Sequence, residues 1–113
     1  MKVLVENTAG GKNSVARYMD SIERLWEVIG HLNVGLCLDT CHTWAGGIPT
    51  IDAVKGFKKL VKKIDLIHFN DSKDGFESSR DRHENLGKGK IPKEELEYVI
   101  KNAKTDIIVE TPN

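Results

Sequence analysis

Four short aliphatic runs, each carrying at its end a side chain that can bind a metal, constrain this 113-residue chain more than any other feature. They are Val3-Leu4-Val5-Glu6, Gly35-Leu36-Cys37-Leu38-Asp39, Asp65-Leu66-Ile67-His68-Phe69 and Ile107-Ile108-Val109-Glu110. Near-continuous apolar runs of this length predict strands buried on both faces, as in a parallel sheet. The segments between them have helical spacing. Val15, Tyr18, Ile22, Leu25, Trp26 and Ile29 form one apolar stripe, with Asn13 or Ser14 as the cap and Gly30 at the C′ position. Val54, Phe57, Leu60, Val61 and Ile64 form a second. Leu96, Val99 and Ile100 form a third, with Pro92 in its first turn. The order β-α-β-α-β-α-β predicts an α/β fold of parallel (β/α) units joined by right-handed crossovers.

In such a sheet all C-terminal strand ends share one rim, where α/β sheets and barrels place their active sites. Glu6, Asp39, His68 and Glu110 are separated by 33, 29 and 42 residues, about one βα unit each, so they converge there. Four such units make half of an eight-stranded TIM-type barrel. Both ends of the sequence read as cut, at Met1-Lys2 and at Thr111-Pro112-Asn113. The expectation is one domain, residues 1–113, forming the C-terminal half of a barrel that pairs with a missing N-terminal half or with itself.

Three further residues join the four. His42 follows Asp39 at i+3, and His83 follows Asp81 at i+2, a spacing that turns both side chains the same way in extended chain. Mixed imidazole and carboxylate donors suit Zn²⁺ or Mn²⁺ better than Mg²⁺ or Ca²⁺. Glu6, Asp39, His42, His68, Asp81, His83 and Glu110 exceed the three or four ligands that one zinc takes. The surplus points to a multinuclear site, and paired ions are the usual apparatus of phosphodiester hydrolysis. Plainer readings exist for single residues. Asp39 could cap a helix, Asp81 could pair with Arg80 or Arg82, and His68 could be a core histidine. Burying unpaired Glu6 and Glu110 at strand ends is harder to explain without an ion.

Other residues read as structural. Cys37 is a small core residue, despite its metal-compatible spacing from Cys41. His31 complements a helix C-terminus. Lys55, Lys58, Lys59, Lys62 and Lys63 form a solvated helix face. Gly87-Lys88-Gly89 resembles a phosphate-cradling turn but is also a common loop. Trp44, in the loop after His42, either stacks on a sugar or base or covers the rim. With 17 Lys+Arg against 17 Asp+Glu, the chain lacks the basic footprint usual in nucleic-acid binders. No apolar stretch is long enough to span a membrane, and two cysteines suit a reducing, cytoplasmic setting.

Five motifs then occur in order along the whole chain: Glu6-Asn7-Thr8-Ala9-Gly10, Gly35-Leu36-Cys37-Leu38-Asp39-Thr40-Cys41-His42, His68-Phe69-Asn70-Asp71-Ser72-Lys73, Asp81-Arg82-His83 with Leu86-Gly87-Lys88-Gly89, and Glu110-Thr111-Pro112. Together they resemble the endonuclease IV family of apurinic/apyrimidinic endonucleases. The resemblance implies a (β/α)₈ barrel with three zinc ions on its rim, acting on double-stranded DNA in base excision repair. Such enzymes cut 5′ to an abasic site and leave a 3′-hydroxyl. By resemblance, Glu6 bridges two zincs, Asp39, His68 and Glu110 complete the second, and His42, Asp81 and His83 hold the third, with Glu6 and Glu110 also catalytic. Lys12 and the stretch 43–50 depart from the family pattern. Two alternatives remain open at this point: a metal-dependent sugar isomerase or epimerase related to xylose isomerase, and a non-catalytic zinc-binding half-barrel.

Overall fold

The computed structural model describes residues 2–112; Met1 and Asn113, part of the predicted cut ends, lie outside them. Strand β1 (Val3–Glu6) is followed by helix α1 (Met19–Ile29), β2 (Val34–Asp39), α2 (Thr40–Gly46), α3 (Thr50–Leu60) and β3 (Leu66–His68). A two-stranded hairpin, β4 (Asp71–Ser72) and β5 (His83–Glu84), precedes α4 (Lys93–Ala103) and β6 (Ile107–Ile108). The main sheet has the order β1-β2-β3-β6 and every pairing in it is parallel, so the predicted run of (β/α) units is present.

The helices cover one face of this sheet. Ile22 of α1, Ala53, Val54 and Phe57 of α3, and Leu96 and Val99 of α4 pack against Leu36, Leu38 and Ile67. Phe57, Leu38 and Ile67 are completely buried. The central strand β2 is buried along nearly its whole length, as its apolar run predicts. The outer strands are not: Val3 is 60% exposed and Ile108 48%. An apolar run at a sheet edge cannot be told from a central one by composition, and here both edges stay open. A groove of about 370 Å³ beside α4, lined by Phe69, Leu86, Leu96 and Ile100 among others, leaves more apolar surface uncovered.

Several boundaries shift from expectation. Helix α1 begins at Met19, and Val15 is exposed outside it. The Ser14 hydroxyl pairs with Thr8 Oγ1 at 2.6 Å instead of capping the helix. Gly30 is right-handed (φ −63°), with its amide donating to Trp26 O, so it is no left-handed C′ residue. Helix α3 stops at Leu60 because Val61 turns extended, leaving Ile64 as a buried residue of the following loop. Pro92 is the cap of α4 and not part of its first turn, and Ile100 is 49% exposed. Helix α2 and the β4–β5 hairpin were not expected, because seven- and two-residue elements carry no readable periodicity.

The glycine turn holds an internal anion. Asp71 is fully buried and accepts four backbone N–H bonds: Oδ1 from Ser72 (2.8 Å) and Ile91 (3.1 Å), Oδ2 from Gly87 (3.1 Å) and Gly89 (3.0 Å). Gly87 has φ +84°, and a Cβ on Gly89 would collide with the Asp71 carboxylate. The phosphate cradle suggested by Gly87-Lys88-Gly89 is therefore filled by the protein's own carboxylate. An asparagine cannot accept on both sides. Asp71→Asn is expected to lower the unfolding free energy by about 1–3 kcal/mol, because an amide NH₂ cannot accept from the part-buried Gly87 and Gly89 N–H groups. Urea denaturation checks this, and an unchanged midpoint contradicts it.

Candidate metal centre

The rim is assembled from Asp39 outward. Asp39 ends β2 and is 0% exposed. Its Oδ1 accepts from His42 N at 3.0 Å, so the residue caps α2. The plain capping reading of Asp39 is thus correct, and it does not exclude a second role. The cap starts a helical turn that carries His42 back over the rim, since side chains three residues apart share a helix face. Beyond the last β1–β2 pair, Glu6 with Cys37, the side chain of Asn7 continues the ladder. Its Oδ1 accepts from Asp39 N (2.8 Å) and its Nδ2 donates to Asp39 O (3.2 Å).

Two groups of donors face Asp39. In the first, His68 Nδ1 lies 3.1 Å from Glu110 Oε1, 3.4 Å from Glu6 Oε1 and 3.9 Å from Asp39 Oδ2. In the second, Asp81 Oδ1 lies 3.0 Å from His42 Nε2 and 3.2 Å from His83 Nε2. Both of those imidazole nitrogens are also 3.7 Å from Asp39 Oδ2. Glu6 Oε2 approaches His42 Nδ1 at 3.2 Å, so Glu6 turns one oxygen toward each group. All seven predicted residues are therefore brought together. Glu110 arrives from two residues past the short strand β6, not from its end.

This arrangement fits a metal on three counts. Donor separations of 3.1–3.9 Å in the first group bracket the edge of about 3.3 Å expected for a tetrahedron with ligands at 2.0–2.1 Å. His42 Nδ1 donates to Asn7 O (2.7 Å) and His83 Nδ1 to Glu110 O (3.0 Å). A proton held on Nδ1 leaves the Nε2 lone pair free, the usual outer-shell arrangement of a metal-binding histidine. His68 Nδ1 and His83 Nε2 are buried and make no hydrogen bond, although carboxylate oxygens surround them. Sets of donors close enough to share an ion include Asp39, His68 and Glu110, and also Asp39, His42 and His83.

The cysteines lie nearby: Cys37 beside Glu6 and His68, Cys41 beside Asp81 and His83. Burial pushes both thiols up to about 12, so they stay neutral, as suits core residues. Arg82 does not pair with Asp81. It forms a two-pronged bond with Asp74 (2.8 and 2.5 Å), with Arg80 3.9 Å from the same carboxylate, which leaves Asp81 to the histidines. Trp44 belongs to α2. Its indole donates to Asp74 O at 3.0 Å and its ring meets Phe76 edge-on, so it supports the loop between β4 and β5. His31 is exposed and belongs to none of these donor groups. The five lysines 55, 58, 59, 62 and 63 are exposed as expected, but only Lys55, Lys58 and Lys59 lie on α3, since Lys62 and Lys63 follow its end at Leu60.

Sequence reasoning passed over Asn7 and Asn70 as site residues. Asn70 is fully buried, with Nδ2 3.3 Å from Asp39 Oδ2 and 3.2 Å from Glu110 Oε1. The available signal was position: each asparagine lies one or two residues beyond a strand-terminal ligand.

The sequence profile of the family described as Xylose isomerase-like TIM barrel matches residues 1–113. The chain belongs to that family. It is 51% identical over 109 residues to the probable endonuclease 4 of Mycobacterium bovis, which covers 96% of this chain and 43% of that relative. Among solved structures it matches endonuclease IV from Thermus thermophilus with a TM-score of 0.80 and 32% identity, over 97% of this chain and 43% of the other. The chain thus spans less than half the length of these relatives, and the resemblance to endonuclease IV read from the five motifs is borne out. A probable 3-DHS dehydratase from Bacillus anthracis has a TM-score of 0.70 at 18% identity over 96% of this chain and 42% of its own, which shows the fold alone. Among the described residues, no helix is long and apolar enough to cross a membrane.

The charges of the metal-free rim oppose one another. Burial raises Glu6, with Asp39 and Glu110 adding to it against the lowering pull of His68 and His42. Burial also raises Asp39, more than His42 and His83 lower it. Burial lowers His42, but Asp39, the Asn7 carbonyl, Asp81 and Glu6 outweigh it and hold the imidazole above its ordinary value. Groups raised on folding contribute stability that is full below their unfolded values and is lost as pH rises through the folded ones. The three act in the same direction. The metal-free chain is expected to melt at a lower temperature as pH rises from the carboxylate range past 6.5, the ordinary value of His42. With metal the trend reverses, because ligands bind deprotonated. Thermal melts with and without chelator check it, and parallel pH profiles contradict it.

Proposed function

We propose that this chain carries the metal-bearing rim of a zinc-dependent apurinic/apyrimidinic endonuclease. Its substrate is double-stranded DNA with an abasic site, and the bond hydrolysed lies 5′ to that site, leaving a 3′-hydroxyl for base excision repair. The reading is supported above all by the second donor group, His42, Asp81 and His83, beside Asp39, His68 and Glu110. A sugar isomerase or epimerase needs one or two ions and has no use for that additional position. Relatives named endonuclease 4 support the nuclease reading independently. The donor set suits zinc and also accommodates Mn²⁺.

On this reading the divisions of labour follow from the geometry. Zinc, when bound, supplies Lewis acidity toward phosphate oxygens and activation of water. Asp39, His68 and Glu110 hold one position, and His42, Asp81 and His83 the other. Glu6 would offer the oxygen beside His68 to the first of these positions and leave its other oxygen for a further ion, the bridge that the family resemblance implies. Glu110, 42% exposed in its side chain, is the most accessible carboxylate of the first group and the one that reaches a scissile phosphate and its attacking water. Completion of the barrel falls to surface beyond these residues, either a first half-barrel or a second copy, which covers the open edges at β1 and β6 and the groove beside α4. A DNA-binding face spread over a whole barrel can be basic while this part is neutral, and a soluble DNA-repair enzyme of this kind works in the cytoplasm.

Incision of a duplex oligonucleotide with one abasic-site analogue tests the reading. The expected result is chelator-sensitive cutting 5′ to the lesion, by the chain alone or after complementation with the first half of a mycobacterial relative. No incision in either case contradicts it. Glu110→Ala is expected to reduce both cutting and zinc retention at least about 100-fold, beyond the 10–100-fold typical of outer-shell partners. Full activity in that variant removes Glu110 from the site.

A further inference from the structure

We propose that Asn70 is a positioning residue for the metal centre, its single carboxamide fixing the carboxylates of Asp39 and Glu110 relative to one another. The inference rests on the metal reading above. An amide Nδ2 has two hydrogens, and here they go to two different carboxylates, Asp39 Oδ2 at 3.3 Å and Glu110 Oε1 at 3.2 Å. Its Oδ1 accepts from Glu110 N at 2.8 Å, so the same group holds both the backbone and the side chain of Glu110. The clamp is needed there. Strand β6 ends at Ile108, and its pairing with β3 stops at His68 with Ile108, so no ladder bond reaches Glu110. The asparagine stands where the next rung of the sheet would be.

Asn70 is itself held. Thr40 Oγ1 accepts from Asn70 N at 2.8 Å and donates to Asn70 O at 2.5 Å, and Asn70 is 0% exposed. Thr40 adjoins Asp39, so the end of β2 and the chain after β3 are joined by both backbone and side-chain bonds. The chemistry of the amide matters as much as its place. It offers N–H to two carboxylates without bringing a positive charge, so neither is neutralised and both remain available as donors. A lysine or arginine there would compete with the ion, and a carboxylate would add a third negative charge. Each carboxylate has about four lone-pair directions, so one bond to the amide leaves the others free.

The test separates positioning from simple packing. Zinc affinity of the 113-residue chain is measured by competition with a chromophoric chelator, and Co²⁺ absorption follows the two donor groups. Unfolding of the metal-free protein is recorded in parallel. In Asn70→Ala, one class of site is expected to weaken about 10–100-fold, the range for loss of an outer-shell partner. The other class, held by His42, Asp81 and His83, meets Asn70 only through Asp39 and should weaken less than the first. Asn70→Ser keeps one donor and is expected to fall between alanine and wild type; it carries the test if the alanine variant does not fold. Unchanged affinity at both classes overturns the role of Asn70 and leaves the metal reading intact. Equal weakening of both, in step with lost stability of the metal-free protein, also overturns it, because that is what a purely structural residue would do. A wild-type chain that binds no zinc overturns both.

Discussion

The carboxylate of Asp39 is the point on which the rest of the rim depends. It sits fully buried at the end of the central strand, where an ionised group is costly unless it is paired or bonded. Every bond around it also does something else. Its Oδ1 starts helix α2 by accepting from His42 N, which delivers His42 to the rim. Its Oδ2 takes a hydrogen from Asn70 and faces three imidazoles at 3.7–3.9 Å. Its backbone is gripped by Asn7 from the end of β1. Strand pairing, helix start and donor geometry are coupled through this one residue.

That coupling explains why the donors lie on the parallel sheet and not on loops alone. Parallel strands place their C-terminal ends together, and β1, β2 and β3 each deliver a donor there without further adjustment. The remaining donors come from less regular chain and need supports of their own. Asp81 and His83 are carried by the β4–β5 hairpin, whose loop is pinned by the Asp74–Arg82 pair and by Trp44. The Arg82 guanidinium beside Asp74 holds that carboxyl below its usual range, so the pin stays charged at neutral pH. Glu110 depends on Asn70 and on the bond from His83 to its carbonyl. Four acidic side chains crowded on a partly buried rim raise one another's cost. A multivalent cation is the simplest way to offset it.

Much of this was legible in the sequence, for specific reasons. Strand-terminal Glu6, Asp39 and His68 stood out because an apolar run that ends in a donor has few structural explanations. His42, Asp81 and His83 were readable as pairs because short spacings fix which way neighbouring side chains turn. Helix α2 was not readable: Asp39-Thr40-Cys41-His42 gives the same letters whether the aspartate is a ligand, a cap or both. The asparagines were hidden for a related reason. Asn7 and Asn70 act through bonds to residues 32 and 40 positions away, which no local pattern records. The glycine turn was rightly read as a loop, but its internal partner was hidden, because a backbone nest accepts an internal carboxylate as readily as a phosphate. The open edges at β1 and β6 followed from counting four strands, half of a barrel, and not from the composition of those runs, which reads the same at an edge as at the centre.

Whether the rim holds metal is decided by X-ray diffraction from crystals grown with zinc, recorded on both sides of the zinc absorption edge. Anomalous peaks are expected at the rim, one about 2.0–2.2 Å from donor atoms of Asp39, His68 and Glu110 and another at the same distance from His42, Asp81 and His83. Peaks held only by exposed surface groups, or none at the rim, would contradict it.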